Sequence, residues 1–211
     1  MVYERLRDAI VSGALRPHAA IDKQALCQEL QVSRLTVTSA IGRLAHEGLV
    51  VVAPQSGSYV ARIDLQDVQQ WLLVRRLLEG EIAARAASTL PAAQREALAA
   101  NLAAQEAAAR AEQPEAFHLL DLEFHRLLVT GLALPRLGEV LDSVRIHIDR
   151  TRRMLLPQPG RMLATWREHD AIAQAIAARD EMAASATMAA HLDRVGAELV
   201  AFETRHPEFF R

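Results

Sequence analysis

The chain has 211 residues, 51% hydrophobic and 24% charged, with a formal net charge of -2. That balance fits one large or two smaller globular domains and excludes a strongly basic protein. No apolar run approaches the ~20 residues that span a bilayer; the first residues do not form a signal peptide. With Cys27 as the only cysteine, no intrachain disulfide can form, and the reducing cytoplasm is the expected compartment.

Alanine and leucine dominate while aromatics make up 4%, a composition that favours helices over strands. The first element is a helix, YERLRDAIVSG, with Leu6, Ile10 and Val11 on one face and Gly13 at its end. After the loop ALRPHAAI, Asp22 is placed to cap KQALCQEL, in which Cys27 reads as a small core residue. QVS forms a turn, and Ser33 caps RLTVTSAIGRLAHEG, which Gly48 closes. LVVVAP, QSG and SYVARI then read as strand, turn and strand, a two-stranded hairpin. Three helices and a hairpin in about 62 residues are the plan of a winged helix-turn-helix.

From Asp64 onward the strand signal disappears. The pattern predicts six helices over 65–87, 91–111, 114–131, 134–155, 160–178 and 180–204, with Pro91, Pro114, Pro135 and Pro157 at or near the breaks. The expected fold is mainly α: an N-terminal winged helix-turn-helix domain over 1–63, then an all-α six-helix bundle over 64–211. Residues 1–62 carry seven basic and five acidic side chains, while the remainder carries 17 and 21. The split permits nucleic-acid contact through the first segment without demonstrating it.

Four side chains of the bundle stand out chemically. Asp121 and His125 lie four residues apart in FHLLDLEFHRLLV and share a helix face. His169 and His191 each interrupt an apolar stripe on a later helix. If these helices pack around a common interior, three imidazoles and a carboxylate converge, a donor set suited to zinc, nickel, iron or manganese. His118, on the same stripe as Asp121, is the substitute ligand, and His147 is placed to hydrogen-bond near the pocket. Core histidines satisfied by ordinary hydrogen bonds are the competing reading. Arg75 is the candidate clamp for an organic acid at an open metal position, with Arg76 as the alternative and Arg145, Arg152 and Arg153 on the fourth bundle helix. Arg75 reads equally well as an ion pair with Glu79.

The ordered pattern I-x-x-G-x-L-x-P, then L-x-V-S-R-x-x-V-x-x-A-I-x-x-L-x-x-E-G-L-V, then a glycine-containing wing, resembles the N-terminal domain of the GntR family of bacterial transcription regulators. The resemblance covers nearly all of residues 2–62. In a helix-turn-helix the second helix enters the major groove by its N-terminal residues. These are here Ser33, Arg34, Leu35, Thr36 and Thr38. Arg34 is the candidate for a guanine or phosphate contact, Ser33 and Thr36 for phosphates, and Gly57 for close approach of the wing. The family usually has Pro-Gly after the first helix and Pro-Val-Arg-Glu-Ala in the recognition helix. This chain has Pro17-His18 and Thr36-Val37-Thr38-Ser39-Ala40, so Arg43 and Lys23, the only lysine, are the candidates to replace the missing arginine.

VRRLLEGEIAARAA, DLEFH, EHDAIAQAIAARD and MAAHLDRV resemble the FCD effector domain of the FadR-like branch, and six helices resemble its VanR-type subgroup. In metal-containing members an aspartate and three histidines hold a divalent ion, at positions that Asp121, His125, His169 and His191 match. The resemblance implies a homodimeric repressor that reads a palindromic DNA operator and answers a small carboxylate effector. Two alternatives stay open: the metal is itself the signal, or the bundle is a metalloenzyme tethered to DNA.

Overall fold

The computed structural model describes residues 1–211, the side chains of residues 145–147 excepted. Arg145 and His147, named above as neighbours of the pocket, therefore lie outside the described residues. The chain divides into two compact units, Met1–Leu65 with Glu203–Arg211, and Gln66–Phe202. No helix is long and apolar enough to cross a membrane among the described residues.

The first unit opens with α1 (Val2–Val11), which buries Val2, Leu6, Ile10 and Val11. The spacing of these residues makes a single apolar stripe. Just past its end Gly13 takes φ +80°, a left-handed turn that a side chain would strain. Asp22 caps α2 (Lys23–Leu30) by accepting from the Gln24 and Ala25 amides, each at 2.9 Å. Ser33 caps α3 (Arg34–His46) by accepting from the Thr36 amide at 3.1 Å. Gly48, at φ +73°, turns the chain from α3 into the hairpin. The hairpin consists of β1 (Val50–Ala53) and β2 (Gly57–Val60), antiparallel, with Val50 opposite Val60 and Ala53 opposite Gly57.

Two features of this unit are not visible in its hydrophobic pattern. The loop after α1 pairs with β2: the His18 and Ile21 amides donate to the Val60 and Ser58 carbonyls at 2.9 and 2.8 Å, and the Val60 amide donates back to Ala19. His18 holds φ +67°. The left-handed region costs a side-chain-bearing residue roughly 1–2 kcal/mol. The His18 ring stacks against Tyr59 with centroids 5.8 Å apart, an apolar contact that works against this cost. At the other end of the chain, a short 3-10 turn (Pro207–Phe209) brings Phe210 alongside Ile63. The Ile63 amide donates to Phe209 at 2.9 Å, the Arg211 amide donates to Ile63 at 3.1 Å, and Arg211 pairs with Asp64.

The second unit is a bundle of α4 (Leu65–Thr89), α5 (Ala92–Arg110), α6 (Pro114–Gly131), α7 (Pro135–Leu155), α8 (Arg161–Ala177) and α9 (Glu181–Arg205); the first residue of α4 and the last three of α9 belong to the first unit. Each expected helix is present, with boundaries shifted by at most two residues. Pro114 and Pro135 open α6 and α7 at the position where a missing amide costs nothing. α5 packs on α6 and α8, and α6 on α7. One apolar core runs from Ile82 and Ala86 on α4 and Leu90 just past its end through Phe124 and Leu128 on α6 to Ile172 and Leu192 on α8 and α9. A second, smaller cluster joins Ala108, Phe117, Leu156 and Met162. Polar side chains are buried as well, and they gather around the histidines.

Candidate metal centre

α6 supplies Asp121 and His125 one turn apart, α8 supplies His169, and α9 supplies His191; all four are buried. The ligand atoms of the three histidines lie within 4.8 Å of one another. Ring centroids are 4.7 Å apart for His169 and His191 and 5.3 Å apart for His125 and His169. The Asp121 Oδ1 atom lies 3.5 Å from His169 Nε2, and the two Nε2 atoms of His169 and His191 face each other at 3.4 Å. Phe124 stacks on His169 with centroids 4.1 Å apart and forms an apolar wall.

The outer partners of the imidazoles determine which nitrogen faces inward. Leu120 offers a backbone carbonyl, which can only accept, so it takes the Asn101 amide NH2 at 3.0 Å. Asn101 then presents its oxygen to the Gln105 NH2 at 2.6 Å. That leaves the Gln105 oxygen to accept from His169 Nδ1 at 2.8 Å. The His191 Nδ1–H donates to the Glu168 carboxylate at 2.6 Å. His125 Nδ1 lies 2.5 Å from Glu79 Oε2, a close contact without hydrogen-bond alignment. Every Nδ1 thus has an oxygen behind it and the Nε2 atoms of His169 and His191 face each other, the arrangement in which outer partners orient metal-binding histidines. Two bare nitrogens at 3.4 Å have no proton to share, and the His125 Nε2 has no hydrogen-bond partner.

The electrostatics keep the imidazoles neutral. Burial pushes His191 down to about 4 against the opposing pull of Glu168. Burial, reinforced by His191 and His125, holds His169 well below its usual range, and burial also lowers His125 despite Glu79. Burial alone would raise the carboxylates, but Arg152 outweighs it at Asp121, and Arg75 with His125 outweighs it at Glu79, so both stay ionised. Glu168, bonded to His191 and flanked by Arg161 and Arg194, is lowered to about 2. Neutral imidazoles and an ionised carboxylate are the protonation states that a cation requires.

The remaining predicted residues fall into distinct places. His118 is buried and its Nδ1 has no partner, yet it lies outside the group of three converging imidazoles. Arg75 is buried and pairs with Glu79 at 2.5 Å, so its guanidinium backs the carboxylate that meets His125. Arg76 points to the surface and pairs with Asp193 at 3.1 Å in a shallow groove with Gln69, Leu73 and Gly196. Arg152 bonds Asp121, and Arg153 bonds Glu115. Gln105, Asn101 and Glu168 were not anticipated; their only sequence signal is a polar residue on a buried helical stripe.

On the first unit, Ser33, Arg34, Leu35, Thr36 and Thr38 form the exposed start of α3, while Val37, Ala40, Ile41 and Leu44 are buried beneath. The Ser33 and Thr36 hydroxyls bond each other at 2.8 Å. Arg43 lies over the Tyr3 ring, 3.7 Å from its centroid, and reaches Glu47 at 3.2 Å. Lys23 is half-buried at the start of α2, and Gly57 is exposed at the start of β2 with φ +125°.

Comparison with known proteins agrees with this division. Residues 1–60 match the bacterial regulatory proteins of the gntR family, and residues 70–194 match the FCD domain. The chain is 29% identical over 211 residues to the HTH-type transcriptional repressor RspR of Escherichia coli K12, covering 99% of this chain and 92% of that protein. It is 30% identical over 210 residues to an HTH-type transcriptional regulator in an unstable DNA locus of Streptomyces ambofaciens, covering 99% and 88%. Among solved structures, E. coli McbR/YncC superimposes with a TM-score of 0.76 at 20% identity, covering 95% of each chain.

Proposed function

We propose that this chain, which belongs to the gntR family of bacterial regulatory proteins and carries an FCD domain, is a repressor whose bundle senses a small organic acid at a divalent metal site. The matched family and relatives are transcription regulators, which sets aside the metalloenzyme alternative. The observation that carries the metal reading is the convergence of three imidazoles, each with its Nδ1 backed by an oxygen, beside the Asp121 carboxylate. Nitrogen and oxygen donors without a thiolate fit zinc, nickel, iron or manganese. Asp121, His125, His169 and His191 would hold the ion, which would supply a positive centre with open positions for a ligand oxygen. A cleft of about 380 Å³ between α8 and α9, lined by Glu168, Thr187, His191 and Arg194, is large enough for a small acid.

In this reading the first unit binds DNA through α3 and the hairpin, and paired units in a homodimer read a palindromic operator. Acid binding changes DNA affinity only as far as the acid binds the DNA-competent and DNA-incompetent dimers unequally, and DNA must change acid affinity by the same factor. The test combines two measurements. Metal content is determined for the purified protein and for a His125→Ala/His169→Ala variant, with about one equivalent expected in the first and little in the second. Operator affinity of the metal-loaded protein is then followed while small carboxylates are titrated in. Equal metal content in both proteins would sink the site, and DNA affinity indifferent to every acid would sink the effector reading.

A further inference from the structure

We propose that Gln55 is a specificity-determining residue: its side-chain amide, at the tip of the hairpin, reads a G·C pair from the minor groove beside the stretch that α3 occupies. The inference rests on the reading that α3 and the hairpin lie against DNA, and adds to it a residue, a groove and a base pair.

The tip is built against its own preferences. The Ser56 amide donates to the Ala53 carbonyl at 3.1 Å and closes a turn with Pro54 and Gln55 at its centre. Proline fixes φ at about −65° in the first central position, and Gln55 holds φ +60° in the second. A turn of that pattern favours glycine or asparagine at the second position, where a longer side chain is strained. The glycine stands instead two residues later, Gly57 at φ +125°. Strain of this kind persists where neighbours enforce it. Tyr59 does so here: its hydroxyl donates to the Ser56 carbonyl at 2.8 Å and lies 3.2 Å from the Ser56 Oγ. A side chain at Gly57 would meet the Tyr59 ring at 3.7 Å, and the same ring stacks on His18.

The fold makes no use of the amide that it strains to place. Gln55 is exposed, and its side chain makes no hydrogen bond to another described residue. Its neighbours at the tip offer no substitute. Pro54 has no polar side-chain group, Gly57 has no side chain, and Tyr59 engages both the hydroxyl and the carbonyl of Ser56. No Lys or Arg stands between Arg43 and Arg62, so the hairpin carries no cation to hold phosphates. A neutral amide on such a tip suits hydrogen bonding to base edges. The minor groove, about 6 Å wide, admits a slender side chain but not a hairpin. Acceptors line it at every base pair and can meet the amide NH2, but only guanine adds a donor, its 2-amino group. The amide oxygen is satisfied by guanine alone, so Gln55 distinguishes G·C from A·T.

The experiment selects operator DNA from a random library with the full chain. Binding is then measured by anisotropy for wild type, Gln55→Ala, Gln55→Asn and Tyr59→Phe, with thermal melts on each. Inosine replaces guanine in the selected operator one position at a time. It lacks only the 2-amino group, so the major-groove edge is unchanged. Wild type is expected to lose about fivefold at one guanine of each half-site, the size of one hydrogen bond. Gln55→Ala loses about fivefold on the unmodified operator and nothing further with inosine there, the non-additivity of a direct pair. Gln55→Asn has a better turn residue and a shorter reach, so it melts no lower than wild type yet loses the guanine preference. Tyr59→Phe keeps the ring and shrinks the inosine effect without lowering the melting temperature.

A wild type indifferent to inosine at every position overturns the reading of guanine. Gln55→Ala that binds as tightly as wild type, or that keeps the full inosine effect, overturns the assignment to Gln55. A full inosine effect in Tyr59→Phe overturns the part given to Tyr59. If wild type selects no sequence from the library, the DNA reading of the first unit fails and this inference with it.

Discussion

The two units place their chemistry on opposite sides of their cores. In the first, Arg34, Leu35 and Thr38 project from α3 while the residues beneath them carry the fold. In the second, the polar groups of the site lie inside, with Gln105, Thr165 and His169 fully buried and Arg75, Glu79, Asp121, Arg152 and His191 nearly so. A surface site can be altered without touching stability. An interior site cannot, because every buried ionised group was desolvated on folding and depends on its partner. The comparison therefore predicts that function and stability separate in the first unit and move together in the second.

The largest effect is expected at Glu79. Replacing it with alanine strands the buried Arg75 and removes the oxygen behind His125. Removing one partner of a buried pair costs about 3–5 kcal/mol, so urea unfolding of metal-free Glu79→Ala should fall by that amount. An unchanged midpoint would break the comparison at its strongest point.

Acid provides the next test. His191 titrates at about 4 in the folded metal-free protein and near 6.5 when unfolded. Between these values the unfolded chain binds more protons, so stability falls as pH falls from about 6.5 toward 4. The slope is about 1.4 kcal/mol per pH unit for each histidine held neutral in this way. His118, also lowered to about 4 by burial, adds to the slope in the same direction. Thermal melts across this range should show the loss, and zinc should oppose it at the upper end by binding only the folded, deprotonated site. Flat melts between pH 6.5 and 4.5 would mean that the histidines are not held neutral.

Arg34→Ala makes the converse test on the outside. Loss of a base contact costs about 1–3 kcal/mol of operator affinity, or about fivefold to 150-fold. An exposed substitution of this kind changes stability by less than about 0.5 kcal/mol. Anisotropy titrations across several salt concentrations distinguish the contact. Loss of a base contact relaxes sequence preference, whereas loss of a phosphate contact lowers the salt slope by about one. A large fall in melting temperature would show that Arg34 serves the fold.

The same contrast explains what could be read from the sequence. Caps at Asp22 and Ser33, turns at Gly13 and Gly48 and the proline-punctuated helices are local decisions, made by a few adjacent residues. Asp121 and His125 are also local, one helical turn apart. The convergence of His169 and His191 on them depends on helix packing and could only be posed as a condition. The choice between Arg75 and Arg76 had a usable signal in retrospect. Val68, Leu72, Glu79, Ile82 and Ala86 are buried at three- and four-residue spacing, and Arg75 falls on that stripe while Arg76 does not. Gln105 behind His169 and Glu168 behind His191 lie 64 and 23 positions away, and no spacing rule reaches them. Nor did the pattern show the pairing of His18–Ile21 with β2, because backbone groups make it and its side chains carry no alternation.

The smallest predicted effect concerns Leu35, and it tests most finely whether the outer face of α3 reads bases. Leu35 is 79% exposed at the start of α3, between Arg34 and Thr36, where a polar side chain would cost nothing. An apolar group there can contact the one apolar group in the major groove, the thymine methyl. Burying a methyl-sized group contributes about 0.8 kcal/mol, roughly a fourfold change in affinity. Leu35→Ala should therefore weaken operator binding about fourfold without changing the melting temperature. The decisive measurement replaces thymine with uracil, which lacks only the methyl, one position at a time within a half-site. Wild type should lose about fourfold at one position and Leu35→Ala nothing further there. If uracil is tolerated everywhere by both proteins, Leu35 does not read DNA, and the exposed face of α3 is reduced to its polar contacts.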